Sequence, residues 1–269
     1  MKDKVVIITG ASSGIGKALA IEFAKKGSKV VLAARNPENL NSVLDEVKQY
    51  NTEAIAVVAD VSLVDDCENL VKKTIETFGK IDILINNAGI SMRSMFLDTD
   101  LSVMHKLMDT NYWGTVNCTK FALPYLVEHK GSLVGIISIA GYLGLPARSA
   151  YSSSKYAIRG FLDTIRVEHL KSGLHVLVAA PGFTASNIRK VALLGDGSLQ
   201  GATPRQEEKM MTAEQVAKKI YRAIVKRKRT LILTFVEGKL AVFLSKWIPG
   251  LLDKLNYNHM AKEENSPLK

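Results

Sequence analysis

The chain has 269 residues, 47% hydrophobic and 23% charged, which excludes a disordered polyelectrolyte and leaves room for one α/β domain. Lysine and arginine total 36 against 26 acidic residues, a formal charge of +10, so nucleic-acid and anionic-surface binding must both be weighed. Two cysteines, Cys67 and Cys118, without a CxxC spacing exclude a disulfide scaffold and fit a reducing compartment.

From the start, Lys2, Asp3 and Lys4 run straight into a strand-like VVIIT with no small-residue cleavage site, unlike a signal peptide. Strands are expected at 5–9, 29–34, 54–59, 81–85, 133–137, 175–179 and 230–234. These runs lack polar alternation, as strands buried on both faces of a parallel sheet do. Helical patterns lie between them at 17–26, 63–78, 101–128, 152–171 and 213–226, with Asp100 and the Thr212/Gln215 pair as N-cap candidates. Strand–helix alternation predicts an α/β fold: a single Rossmann-type, doubly wound parallel sheet of about seven strands. The catalytic unit is expected over 1–235, followed by an amphipathic extension over 236–269. Residues 183–211 break the rhythm with glycines and paired apolar residues. They follow the sixth strand at the carboxyl edge of the sheet and read as a lid.

After the first strand comes Thr9-Gly10-Ala11-Ser12-Ser13-Gly14-Ile15-Gly16. Glycine is needed for the tight turn, for close approach of backbone to a pyrophosphate, and where helix packs on strand. Free N–H groups at the helix start then hold phosphate.

The GxxxGxG spacing resembles the short-chain dehydrogenase/reductase family, and the likeness extends from Lys4 to about Thr234 through several separate motifs. It implies that Asn87, Ala88 and Gly89, after the fourth strand, support the sheet and line the adenosine side. It also implies that Asp60, followed by Val61, meets the adenine amino group. NAD-preferring members carry an acid at the end of the second strand, whereas here Ala34 is followed by Arg35. A guanidinium pairs with a 2′-phosphate that an acid would repel, and Ser12 and Ser13 add donors, so the cofactor is read as NADP(H). Arg35 as an ordinary surface cation stays open.

Tyr151 and Lys155 fall one turn apart on one helix face, and Ser138 ends the fifth strand at the same sheet edge. This set resembles the family's catalytic site. Hydride transfer to a ketone builds negative charge on oxygen, which needs a proton donor and a hydrogen-bond partner. A tyrosine titrates near pH ~10 in isolation, and roughly 4 kcal/mol of differential interaction brings it to neutrality. Lys155 and the oxidised nicotinamide are expected to supply it, with Lys155 also holding the ribose and Ser138 orienting the substrate oxygen. Asn111 matches the family's helix asparagine, implying a water relay to the lysine. A buried asparagine satisfied by backbone is the competing reading. Pro181 and Gly182 resemble the turn beside the nicotinamide. Thr184 and Ser186 depart from the pattern there, and either hydroxyl can serve the carboxamide.

No zinc-ligand spacing or nucleophile elbow is present, so no metal is expected. Residues 218–229 hold seven lysines and arginines without an acid, but the single aromatic among them, Tyr221, does not make a base-stacking platform, so nucleic acid is not expected as a partner. A solvated helix end is the favoured reading of that cluster. Loop residues Met92, Met95, Phe96, Leu143, Leu145 and Phe183 predict an apolar pocket for a small hydrophobic carbonyl or alcohol. Arg93 and Arg148 read as solvated loop cations, with an acidic substrate group as the alternative. The tail is expected to form two short amphipathic helices broken at Pro249-Gly250. They would pack on the domain or a partner subunit, cover the pocket, or meet a membrane surface. The sequence is therefore read as a cytoplasmic NADP(H)-dependent oxidoreductase, homodimeric or homotetrameric as the family commonly is, with peripheral membrane contact left open. The rival reading is a non-catalytic nucleotide-sensing or membrane-surface scaffold on the same fold, against which the intact Ser–Tyr–Lys set speaks.

Overall fold

Val5, Val6, Ile7 and Ile8 are all fully buried because the two faces of their strand meet different layers. The computed structural model describes the whole chain except Ser186, Asn187, Ala202, 204–209, Glu264, Lys269 and the Glu237 side chain. Seven parallel strands form one sheet: β1 (Val5–Thr9), β2 (Lys29–Ala34), β3 (Ala54–Val58), β4 (Ile83–Asn86), β5 (Ser132–Ile136), β6 (His175–Ala180) and β7 (Thr230–Ile232). Their order is β3-β2-β1-β4-β5-β6-β7, the doubly wound arrangement expected from the alternation.

Val6 and Ile8 pack with Phe23 of α1 (Gly14–Lys25), Leu40 of α2 (Pro37–Lys48) and Ile220 of α7 (Ala213–Val225). Val5 and Ile7 pack with Leu70 of α3 (Val64–Phe78), Leu126 of α5 (Gly114–Glu128) and Leu162 of α6 (Ser149–Glu168). Cys67 and Cys118 are buried free thiols in this second layer, Sγ to Sγ 3.4 Å.

Helix α2 occupies a stretch without an expected element, started by Pro37 at its first turn and by Asn36 Oδ1 accepting from Asn39 N at 2.8 Å. The expected 101–128 helix is interrupted. It divides into α4 (Leu101–Leu107), a π-helical segment Met108–Trp113 and α5. Thr212 and Gln215 form a reciprocal capping box, while Asp100 stands at the N-cap of α4 without a side-chain cap bond. Arg227 of the basic cluster donates to the carbonyls of Lys130 and Gly173, so part of that cluster ties loops together rather than being merely solvated.

The chain crosses from β3 to β4 on the far side of β1, so the sheet order reverses between β1 and β4. A crevice opens there at the carboxyl ends. The loops after β1, β4, β5 and β6 all face it, as does the tail. There a second π-helical segment (Phe235–Leu240) leads into α8 (Ala241–Trp247) and α9 (Pro249–Ala261). Val242 and Leu252 of the tail join Ile139 and Leu143 in a small apolar cluster, which binds the extension to the β5 side of the crevice.

Candidate active site

The glycine loop is fixed by the strand beside it. Gly10 has φ +63, and a Cβ there would lie 2.8 Å from Ala88 Cα. A Cβ on Gly16 would fall 2.2 Å from Gly10 O and 2.6 Å from Asn87 Nδ2. Only glycine permits both approaches. Asn87 Nδ2 donates to Thr9 O (2.9 Å), and the backbone N–H groups of Asn87 and Ala88 both donate to Thr9 Oγ1 at 3.0 Å. Asn87 and Ala88 thus tie the end of β4 to the end of β1, where the loop begins. Ile15 in the first turn of α1, Asn87 and Gly89 all border the crevice. Ser12 is half-buried. Ser13 is exposed at the N-cap of α1, its hydroxyl making no cap bond, and Gly14 has φ +54. Val61 is buried under Gly114, where a Cβ would meet its Cγ2 at 2.5 Å.

The three expected catalytic residues converge. Ser138 caps the short turn after β5 and its Oγ accepts from Ala140 N at 3.2 Å. Tyr151 on α6 is hydrogen-bonded to Ser138. Lys155, one turn on, is 4% exposed and donates from Nζ to Ile136 O at 3.0 Å. The electrostatics depart from the expectation. Burial raises the Tyr151 phenol above its usual value, with the Ser138 hydrogen bond acting against it. Lys155 Nζ stands over the phenol ring, 5.7 Å from its centroid, and burial lowers its own pKa from 10.5 to about 8. Burial outweighs both the Ser138 hydrogen bond and the Arg148 charge, so the phenol stays protonated at neutral pH.

Asn111 sits in the π-helical segment and is fully buried. Its Oδ1 accepts from Ile90 N (2.8 Å), while Nδ2 donates to Ile90 O (3.0 Å) and to Ser154 Oγ (2.9 Å). The side chain is a clamp joining the β4 loop to α6, which is the backbone-satisfied reading. It still meets the lysine's surroundings, since a Cβ on Gly89 would lie 3.0 Å from Asn111 Oδ1 and 3.4 Å from Lys155 Nζ.

Just after β2, Arg35 Nη1 is 3.6 Å from Asp60 Oδ2, which follows β3. Burial alone would raise Asp60, but hydrogen bonds from Ser62 and the Arg35 charge outweigh it and hold the carboxyl below its usual value. Arg35 keeps over half of its side chain exposed. Pro181 O accepts from Ile139 N (3.2 Å), and Gly182 packs against Thr234. The Thr184 hydroxyl donates to Gly182 O at 3.1 Å, so its proton is engaged within the turn. Ser186 lies outside the described residues.

Ile15, Asn87, Gly89, Pro181, Gly182 and Thr184 border one cavity of about 670 Å³, whereas Arg35, Asp60 and Asn111 are not in its lining. Ser138, Tyr151 and Lys155 lie in its floor, and Leu143, Phe183, Leu244 and Leu252 supply apolar wall. The tail, with Leu240, Leu244, Leu252 and Met260 in the lining, covers the pocket of its own domain. Phe243, Trp247 and Leu251 are 58%, 72% and 53% exposed on it. Among the described residues, no helix is long and apolar enough to cross a membrane.

Residues 4–194 match the family model described as short chain dehydrogenase. The chain belongs to the short-chain dehydrogenase family. It is 36% identical over 258 residues to Dehydrogenase/reductase SDR family member 7B of Xenopus tropicalis, covering 93% of this chain and 84% of the relative. To Dehydrogenase/reductase SDR family protein 7-like of Dictyostelium discoideum it is 37% identical over 263 residues, 95% of this chain and 81% of the other. Among solved structures it resembles an alcohol dehydrogenase from Thermococcus sibiricus complexed with 5-hydroxy-NADP. The TM-score is 0.76 at 25% identity, covering 86% of this chain and 96% of that one. A short-chain dehydrogenase/reductase from Burkholderia phymatum in complex with NAD matches in fold, with TM-score 0.78 at 22% identity over 96% and 93% of the two chains.

As a member of the short-chain dehydrogenase family the protein is an oxidoreductase. Two parts of this dehydrogenase's site lie outside the expected residue set. Asn256 and Met260 enter the lining from α9, a helix whose pattern gives no sign of which face meets the pocket. Arg93, expected in solvent, is 8% exposed and paired with Glu263.

Proposed function

We propose that this short-chain dehydrogenase uses NADP(H) to interconvert a hydrophobic ketone or aldehyde and the corresponding secondary alcohol, with Tyr151 as the acid/base. The observation that carries the reading is the convergence of Ser138, Tyr151 and Lys155 in an apolar-walled cavity that reaches the glycine loop. The residues fit a nicotinamide nucleotide. The first turn of α1 offers phosphate donors, Asn87 and Gly89 border the cavity, and Arg35, paired with Asp60, follows a strand end without an acid. That last feature supports the 2′-phosphate form, and the NADP analogue in the Thermococcus sibiricus alcohol dehydrogenase is in keeping with it.

When bound, the nicotinamide supplies or accepts the hydride. The protein's part is the proton and the charge. Tyr151, its phenol held above its usual value by burial, donates from its hydroxyl to a carbonyl oxygen as negative charge grows on that oxygen. Ser138, held by Ala140 N, presents its hydroxyl to the same oxygen. Lys155 brings positive charge under the phenol and steadies the tyrosinate left behind. Leu143, Phe183, Leu244 and Leu252 exclude water, which strengthens each of these interactions.

The exposed Phe243, Trp247 and Leu251, with Lys246 and Lys254 beside them in the tail, support peripheral contact with an anionic lipid surface. Self-association as a dimer or tetramer is proposed from the family alone. The test of the whole reading is a panel of ketones and aldehydes followed by NADPH absorbance, with NADH run in parallel. Turnover of apolar carbonyls with preference for NADPH supports it. Absence of turnover across the panel in either direction rejects it.

A further inference from the structure

We infer that Arg93 and Glu263 are positioning residues whose buried ion pair holds α9 against the pocket and so sets which substrates fit. Arg93 Nη2 lies 3.3 Å from Glu263 Oε2, with the two side chains 7% and 5% exposed. Neither residue lines the cavity, yet Arg93 stands where its walls meet. Its N–H donates to Leu193 O in the lid (2.8 Å), the neighbouring Ser94 N donates to Ala147 O after β5 (3.2 Å), and Leu193 N returns a bond to Ser91 O (2.9 Å). Glu263 adds the tail as a fourth wall. Its backbone N–H donates to Met260 O at 3.2 Å, and Ser266 Oγ donates to the same carbonyl at 2.9 Å, which fixes the end of α9 beside the charge.

Besides the pair, α9 is held by two buried side chains and by the ring contact of His259 with Phe183, centroids 6.4 Å apart. Of its thirteen residues, Leu252 and Met260 are the buried ones, and both enter the cavity lining with Asn256. A charged pair in such a place behaves asymmetrically. Removing one member of a buried pair is strongly destabilising, whereas replacing both with apolar side chains is tolerated. The role in substrate choice rests on the function proposed above. The holding of α9 does not.

The test is a double-mutant cycle on the full chain with Arg93→Met, Glu263→Met and the combined variant. It is read by amide hydrogen exchange and by kinetics on one small and one bulky apolar carbonyl. Each single variant is expected to speed exchange in α9 at least tenfold while β1 and β5 keep wild-type rates. The KM for the bulky carbonyl should rise at least fivefold, with kcat for the small one within twofold. The combined variant should return α9 to within threefold of wild type. Glu263→Gln serves as the milder single change if Glu263→Met speeds exchange throughout the sheet. Unchanged α9 exchange in the single variants, or a combined variant no slower than either, overturns the positioning role. Released α9 with an unchanged KM overturns its part in substrate choice. A wild-type chain that turns over no carbonyl removes the proposed function, and the exchange rates still decide whether the pair holds α9.

Discussion

Replacing Asn111 by alanine separates a clamp from a proton relay. The wild-type amide satisfies Ile90 N, Ile90 O and Ser154 Oγ at 2.8, 3.0 and 2.9 Å from a fully buried position. Ser154 Oγ retains its own bond to Tyr151 O at 2.8 Å, so its loss counts little. The two Ile90 groups are left without partners, at about 1–1.5 kcal/mol each, for roughly 2–3 kcal/mol in all. For a domain of this size that lowers the midpoint of thermal unfolding by roughly 5–10 °C. The assay is thermal unfolding with and without NADPH, beside steady-state kinetics. Asn111→Asp is expected to cost no less than alanine, since its second carboxylate oxygen would face Ile90 O, acceptor to acceptor, at a fully buried position. An unfolding midpoint within 1 °C of wild type, together with a collapse of kcat, would refute the clamp and restore the relay.

The Lys155 ammonium gives a pH dependence whose sign is fixed. Its folded pKa of about 8 lies below the 10.5 of the unfolded chain, so the unfolded state binds more proton between those values and stability rises with pH across that window. Without nucleotide, Lys155→Met should remove a slope on the order of 3 kcal/mol in total, seen as parallel denaturant midpoints at pH 7.5 and 10. A slope that survives the substitution assigns it to other groups. Arg35→Glu should raise the KM for NADPH about 10- to 100-fold and leave that for NADH nearly unchanged. An unaltered preference makes Arg35 a surface cation. Flotation with phosphatidylserine-containing vesicles should carry the wild-type chain at low salt and lose it in Trp247→Ser/Leu251→Ser. Equal recovery of both forms, or of neither, contradicts the lipid contact.

The fold was legible because its signals are local. Runs such as Val5–Ile8 have no polar face to confuse, and the glycine loop, Ser138 and the Tyr151/Lys155 pair stand at spacings that a parallel sheet carries to one edge. Strand ends moved by one or two residues, as at β4, which starts at Ile83 and takes in Asn86. What the sequence hid was set by distant packing. The π-helical turn within 101–128 keeps the apolar pattern of an α-helix, so only the clamp from Asn111 to Ile90 reveals it. The pKa of Tyr151 moves up because burial, which spacing does not report, outweighs the Ser138 hydrogen bond and the Arg148 charge. Arg93 carries the composition of a solvated loop, and its partner Glu263 lies in a tail whose docking no periodicity fixes.

The most direct measurement of the central claim is the single-turnover rate of carbonyl reduction in Tyr151→Phe, which keeps the buried ring and deletes one hydroxyl. With the affinity for NADPH held within twofold, the rate is expected to fall by about 10²–10⁴. A variant that still reduces the carbonyl within tenfold of the wild-type rate contradicts Tyr151 as the proton donor.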